Sequence, residues 1–543
     1  MSESTTTAGV EWPDEPVLKL DRIQGIAVPG FFKPRQTLVL LRYQRNADAC
    51  AAVRRFLAQL LPELSTAAET LADRRRFRKE RVAGERALMA VAFTYPGLLG
   101  LTPSAQDFRS PAFKLGMVER SALLGDPTSK EQDGHPSKWK VGAPGNEPDL
   151  MLVVAGDGPE QVGRRVDQIL ARVAEAGMQH ECLEGGRRER ATQGHEHFGF
   201  ADGISQPGIR GRDCEGKFVT DRHVPAHRWP AAALYGYPGQ DLVWPGEFVM
   251  GYPKSGPDPL KPGPVVEAQP DWSCDGSFLV FRRLVQNVPL FWQTMRREAE
   301  RLSAFPGFEK IDDEALAARL VGRWRSGAPF SRLQVPGGEV EHKLATVASE
   351  NNHFRFDVDT PDLVAGESAL PSAHADPLGQ TCPLAAHIRK VNPRDSATDM
   401  GGTGARYERR ILRVGAAFGP TIADPKAEPP TIEPPNGESP KGEERGLLFL
   451  SIQSSIEDQF EFLQARWMND DCRPRAPSGV DMIAGRNPAA APQCAIFGED
   501  GQMARVRAPG PFVTTTGGAY FFVPSIPAIR DVLAVDPDLS TAP

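Results

Sequence analysis

The sequence predicts an α+β fold made of two ferredoxin-like halves, each an antiparallel sheet flanked by helices. Three observations carry that expectation: apolar runs of strand length, longer runs with apolar residues every three or four positions, and an order of elements, β-α-β-β-α-β, that occurs twice. A chain of 543 residues has room for both halves and a shared core.

The elements follow in order. Residues 1–20 read as a flexible tail. "TLVLLRY" (37–43) is a buried strand, and 47–64 is a helix with Ala51, Val53, Phe56, Leu57, Leu60 and Leu61 on one face. "ALMAVAFTY" (87–95) and "DLMLVVAGD" (149–157) are strands. An amphipathic helix over 160–177 closes at Gly177, and a strand near 178–184 ends the first series. The second series has larger insertions: a strand at 277–284, a helix near 286–302, strands at 409–419 and 446–453, a helix at 456–467 and a last strand at 519–524. The domain boundaries implied are 21–205 for the first half and 206–543 for the second. The stretch 419–446, dense in Pro and Gly, is an exposed loop inside a hairpin.

Composition narrows the function classes. The chain is 40% hydrophobic and 24% charged with a net charge of −7, and acids and bases are mixed along it. Without a long basic run, nucleic acid is not a partner. No apolar stretch reaches membrane-spanning length, and the first residues carry neither a basic-apolar leader nor a twin arginine. The seven cysteines have no CxxC spacing and are odd in number, which fits a reducing, cytoplasmic location without a disulfide framework.

Three stretches carry candidate chemistry. "GFADG" (199–203) sets Asp202 between two glycines and among Phe198, Phe200 and Ile204. An Asp-Gly pair is a common turn. The apolar flanks suggest instead a partly desolvated carboxylate, suited to proton transfer, with glycines that let the backbone pass close to a flat body. In "TCPLAAHIRKVNPRD" (381–395), a helix starting at Pro383 and stopped by Asn392-Pro393 puts Leu384, His387, Ile388 and Val391 on one face. His387 is then a hydrogen-bonded core histidine or the ligand of a metal or haem. In "RRILRVGAAFG" (409–419), Arg413 shares a strand face with Ile411 and Gly415, away from Leu412 and Val414. Its partner is a structural acid, an anionic cofactor or a developing oxyanion. His195 and His197 read as surface histidines, Arg210 as part of a solvated turn, and Trp324 and Trp467 as core residues before they are electron relays.

Taken in order, these segments resemble the dye-decolourising (DyP-type) haem peroxidases. "GFADG" matches that family's GxxDG signature, "AAHIRKVNPR" its proximal-histidine helix and "ILRVG" its distal-arginine strand. "PGEFVMGYP", "GSFLVFRRL", "GLLFLSIQSSIEDQFEFLQ" and "GGAYFFVPS" are similar to other family segments, so the likeness runs from about residue 20 to about residue 525. The resemblance implies a DyP-type, dimeric α+β barrel-like body and one haem b per chain. It implies His387 as the iron ligand, Asp202 and Arg413 on the opposite face, and Leu447 and Phe449 as an apolar screen. Asp481, in "GVDMIAG", is the implied carboxylate partner of His387. The implied activity is reduction of hydrogen peroxide with oxidation of dyes, phenols or other one-electron donors. A haem-handling or iron-release protein is the alternative, and a haem-free relative a further one. The sequence departs from the family at the residue after "RV", where a second basic residue is frequent, and in the long loop 419–446. Oligomeric state is left open.

Overall fold

The computed structural model describes residues 13–82, 84, 86–186, 194–214, 216–361, 363, 370–420, 422, 424–426, 444–486 and 492–535. Its first half contains β1 (Arg35–Arg42), α1 (Ala47–Leu60), α2 (Ala67–Glu80), β2 (Leu88–Phe93), α3 (Pro111–Arg120), β3 (Leu150–Gly156), α4 (Pro159–Glu175) and β4 (Gln179–Gly186). The second half contains β5 (Ser277–Gln286), α5 (Val288–Ser303), α6 (Asp313–Val321), α7 (His387–Val391), β6 (Leu412–Arg413), β7 (Ala416–Phe418), β8 (Gly446–Gln453) and β9 (Val513–Val523). The predicted double series is present.

All these strands join one sheet, in the order β6-β8-β5-β9-β2-β3-β1-β4, with β7 also on β8 and every pairing antiparallel. The halves meet at β9 and β2, where the only paired residues are Phe522 and Phe93. At the other end β4 comes up against β7: a Cβ on Gly185 would lie 3.1 Å from the Ala416 Cβ. The sheet thus curls into a barrel.

Strand alternation gives that barrel two apolar layers. Leu38, Leu40, Met151 and Val153 from the first half meet Leu279, Phe281, Leu448 and Leu450 from the second in the interior. The outer face of the first half, with Val39, Leu41, Met89, Val91, Leu152 and Val154, is covered by helices. Phe56, Leu57 and Leu60 of α1 and Val166, Ile169 and Val173 of α4 pack there. Burying each such side chain contributes roughly 1.5–3 kcal/mol.

The structure corrects several expectations. Residues 13–20 are not a loose tail: Glu15 is buried and paired with Arg210 at 3.0 Å and with Arg222 at 2.6 Å. Arg210 is therefore a buried cation, not part of a solvated turn; its other donors reach backbone carbonyls of Leu242, Ala233 and Pro259. Helix α2 escaped the periodicity because it buries only Ala67, Thr70 and Leu71; its signal was the Thr66/Glu69 capping box. The 409–419 strand is split into β6 and β7. Between them a Cβ on Gly415 would stand 2.2 Å from the Leu448 carbonyl oxygen, so only glycine fits. The helical stretch after β8 winds as π-helical turns over Ile456–Glu461 and Leu463–Met468. Much of the predicted exposed loop, 427–443, lies outside the described residues. Among the described residues no helix is long and apolar enough to cross a membrane.

Candidate functional site

The outer face of the second half is covered in part: Phe278, Val280, Tyr520 and Phe522 pack with Phe113 and Met117 of α3 and with Ile456 and Phe460 of the π-helical turns, and beyond them the face opens. Residues of β5, β6 and β8 there line a cavity of about 290 Å³. On β5 the alternation that buries Phe278 and Val280 continues into Arg282, Leu284 and Gln286. On β8 the same face shows Leu447 and Phe449, while Leu448 and Leu450 point into the barrel. Ile411, Arg413 and Gly415 line the cavity, and Leu412 and Val414 are buried in the interior, as the sequence predicted.

His387 stands on another wall of this cavity. The helix bearing it is shorter than expected. It begins at His387, with Ala386 as the extended cap residue, so Pro383 and Leu384 precede it. The tight Pro383–Ala386 turn uses the hydrogen bond that a helix start would have needed. His387 is half-buried, and its Nδ1 lies 2.7 Å from Oδ2 of Asp481, which is fully buried. The other oxygen of Asp481 accepts from the backbone N–H groups of Ile483 and Ala484 at 2.9 and 3.0 Å. Burial pushes this carboxyl up, but the His387 ring and those donors outweigh it and hold it below the usual range. Burial likewise acts to lower the imidazole, and Asp481 reverses the sign and raises it. With Nδ1 engaged, Nε2 is the ring nitrogen left to face the cavity.

Asp202 and Arg413 sit together on a different part of the lining. Arg413 donates to Asp202 Oδ1 at 2.9 Å and to the Ser205 carbonyl at 3.1 Å. Gln206 clamps the arginine backbone, accepting from its N–H at 3.2 Å and donating to its carbonyl at 2.9 Å. Asp202 is 44% exposed, so the expected desolvation of this carboxylate is not what the structure shows; its side chain faces the open cavity. The glycines also have a local reason. Gly199 and Gly203 have φ of +99° and +76°, which other residues rarely adopt.

One apolar cluster grips the loops that bring these groups together. Phe198 and Phe200 of the Asp202 loop, Ala385 before α7, and Val480 and Met482 beside Asp481 all pack with Phe291, Trp292 and Met295 of α5. Leu316 and Leu320 of α6 complete the cluster. The Phe198 and Phe291 rings stack at 4.5 Å, and the Trp292 indole N–H donates to the Phe198 carbonyl at 3.1 Å.

Sequence reasoning missed several cavity residues. Glu196 is one: its carboxylate accepts from the N–H groups of Phe198 and Phe200 at 2.9 and 2.8 Å and from the Gln286 amide. Burial pushes its carboxyl up. Arg323 and Arg410 are others. Among the described residues Arg323 hydrogen-bonds only neutral oxygens, of Gly327, Asn351 and Asn352, and burial pulls it down to about 9. Arg410 has a buried Nε without an acceptor, and its ionisation is pulled down by burial. Gln206 has no sequence signal beyond its closeness to Asp202. His197 is also corrected: it is buried and hydrogen-bonded to the Phe418 carbonyl at 2.7 Å, not on the surface, and His195 bonds the Arg325 carbonyl. Trp324 and Trp467 are buried, as expected.

Comparison with known proteins fits this geometry. Residues 22–189 match the family model described as the DyP dimeric alpha+beta barrel domain. The chain is 32% identical to dye-decolorizing peroxidase msp1 of Mycetinis scorodonius, over 82% of this chain and 76% of that one. It is similar to the structure of an ancestral D-type dye-decolorizing peroxidase, with a TM-score of 0.73, 31% identity, and coverage of 96% of this chain and 100% of the other. A dye-decolorizing peroxidase in complex with 2,6-dimethoxyphenol is similar at a TM-score of 0.69 and 26% identity, covering 96% of this chain and all of that one.

Proposed function

We propose a role for each cavity residue on one premise: the chain belongs to the dye-decolourising peroxidase family. It is a haem peroxidase that reduces hydrogen peroxide and oxidises a small-molecule donor. The domain boundaries 21–205 and 206–543, one haem b per chain, dyes and phenols as donors, and a cytoplasmic setting suited to free cysteines belong to the same reading.

The donor set fits haem. An imidazole with one nitrogen tied to a buried carboxylate presents the other to a metal. Leu447, Phe449 and Ile411 supply apolar wall. Buried Arg323 and partly buried Arg410, with no acid at ion-pair distance among the described residues, supply charge for an anionic group such as a haem carboxylate. When bound, the haem supplies the redox chemistry: two electrons go to peroxide, which takes up two protons to give two waters, and a donor replaces the electrons.

The chain's residues do the rest. His387 would hold the metal, and Asp481 fixes the ring's orientation and keeps the Nδ1 proton in place. Asp202 accepts a proton from one peroxide oxygen and returns it to the oxygen that leaves as water. Arg413 holds Asp202 in place and puts positive charge where negative charge develops. Leu447 and Phe449 limit the water around this exchange. The carrying observation is that a carboxylate-held imidazole and an arginine-held carboxylate line one cavity.

The test is absorption spectroscopy of the purified protein, followed by stopped-flow mixing with one equivalent of peroxide. The reading requires a Soret band that changes rapidly on mixing and recovers when a phenol is added. A stable Soret band indifferent to peroxide would instead favour haem handling.

A further inference from the structure

Lys390 lies one turn beyond His387 on α7 and is fully buried. A buried ammonium normally has an acid against it. Its three hydrogen bonds go instead to uncharged oxygens: the Asp470 carbonyl at 2.7 Å, the Ser478 hydroxyl at 3.2 Å, and the Gly479 carbonyl. All three belong to the 470–479 segment, which leads directly into Asp481.

The same segment is closed on itself. The N–H groups of Ser478 and Gly479 both donate to the Asp471 carbonyl, at 3.2 and 2.7 Å. Asp481 N–H then donates to the Met468 carbonyl at 2.9 Å. Helix α7 therefore holds this loop at two points one turn apart, by His387 on Asp481 and by Lys390 on residues 470–479. Burial pulls the Lys390 ammonium down to about 8, and of the charges that oppose this Asp481 is the strongest, followed by Asp470. A positive charge is thus fixed behind the carboxylate that orients the ring.

We infer that Lys390 is a positioning residue for the iron ligand: its ammonium locks the loop carrying Asp481 onto α7 and limits the pull of Asp481 on the Nδ1 proton of His387. The inference rests on His387 being the ligand, as proposed above. Two physical effects then share one sign. A nearby positive charge favours the iron state with more electrons, and a restrained Asp481 leaves the imidazole a weaker electron donor. Both raise the ferric/ferrous potential, so removing the charge lowers it.

The experiment is a spectroelectrochemical titration of haem-loaded protein, with the iron–histidine stretching band recorded on the reduced form. Lys390→Gln keeps a hydrogen-bond donor and loses the charge; the potential moves to more negative values and the stretch to higher frequency. Ser478→Asp leaves the lysine in place and cancels its charge locally, so it shifts both in the same direction even if Lys390→Gln folds poorly. Lys390→Arg and Ser478→Ala, which keep the charge, stay near wild type. A wild-type potential in both charge-cancelling variants, with only a lower melting temperature, overturns the inference and leaves Lys390 a structural staple. A shift in Ser478→Ala as large as in Ser478→Asp overturns it too. Failure of the underlying reading looks different: the wild-type protein itself then lacks the iron–histidine band.

Discussion

The two halves of the barrel use the same outer sheet face in opposite ways. In the first half β2 and β3 show an apolar outer face under α1 and α4, and exposed polar residues, His180 and Glu184, are on the edge strand β4. In the second that face carries Arg282, Gln286 and Arg413 among Leu284, Leu447 and Phe449, and it borders the cavity. Where helices cover a sheet, a polar side chain would be desolvated for no return. Where a cavity opens over it, polar groups on the same face can be accommodated. A break in the apolar pattern of a strand face therefore marks where the cavity lies.

Substitutions that exchange the two uses test this comparison. The largest effect is expected from Val154→Arg on β3, whose side chain is fully buried under the helices. An unpaired buried charge costs several kcal/mol against a total stability of about 5–15 kcal/mol. Circular dichroism should find no cooperative thermal transition; a normally folded variant would mean that the covered face has slack. Next comes His387→Ala, which should fold with an ordinary transition yet retain little haem, read as the ratio of Soret to protein absorbance. Full occupancy would assign the iron to another residue.

Asp202→Asn should fold and load haem while reacting with peroxide about 10²–10⁴-fold more slowly, the usual worth of a positioned acid–base group. Because Asn-Gly forms the same turns, full-speed reaction in stopped flow would reduce Asp202 to a turn residue. Arg413→Leu is the counterpart of Val154→Arg, an apolar residue placed on the working face. Its melting temperature should stay within a few degrees of wild type, with the peroxide rate down about 10²–10³-fold. An unfolded variant would show that the second half depends on its polar residues as the first depends on its apolar ones.

Much of this was legible in the chain. The alternation Ile411-Arg413-Gly415, the order of both β-α-β-β-α-β series and the Asp481 candidate all have their counterparts in the structure. What the sequence hid falls into two physical classes. Arg210, His197 and Glu196 are polar residues whose burial depends on partners far along the chain or on local backbone donors, and no periodicity encodes such pairings. The extent of α7 was misread because Pro383 suits a helix start equally well as a tight turn. Asp202 was expected to be desolvated on the evidence of its neighbours in sequence, and the loop turns those phenylalanines away from it into the α5 cluster.

The strand order also sets a timetable for synthesis. The strands of the first half pair with one another between residues 35 and 186, so that pairing can begin while the ribosome is still making the rest, although Leu38, Leu40, Met151 and Val153 gain their barrel partners only from the second half. The second half takes longer: β5, finished at residue 286, waits for β9, which begins at residue 513 and carries Val513 into the cavity wall. At about 5–20 residues per second that wait is on the order of ten seconds or more. During it β5 presents Arg282 and Arg283 along an unpaired edge, and charged residues there discourage pairing with the wrong chain. The cavity wall is consequently complete only when β9 has been made, because Val513 is its last lining residue in the chain.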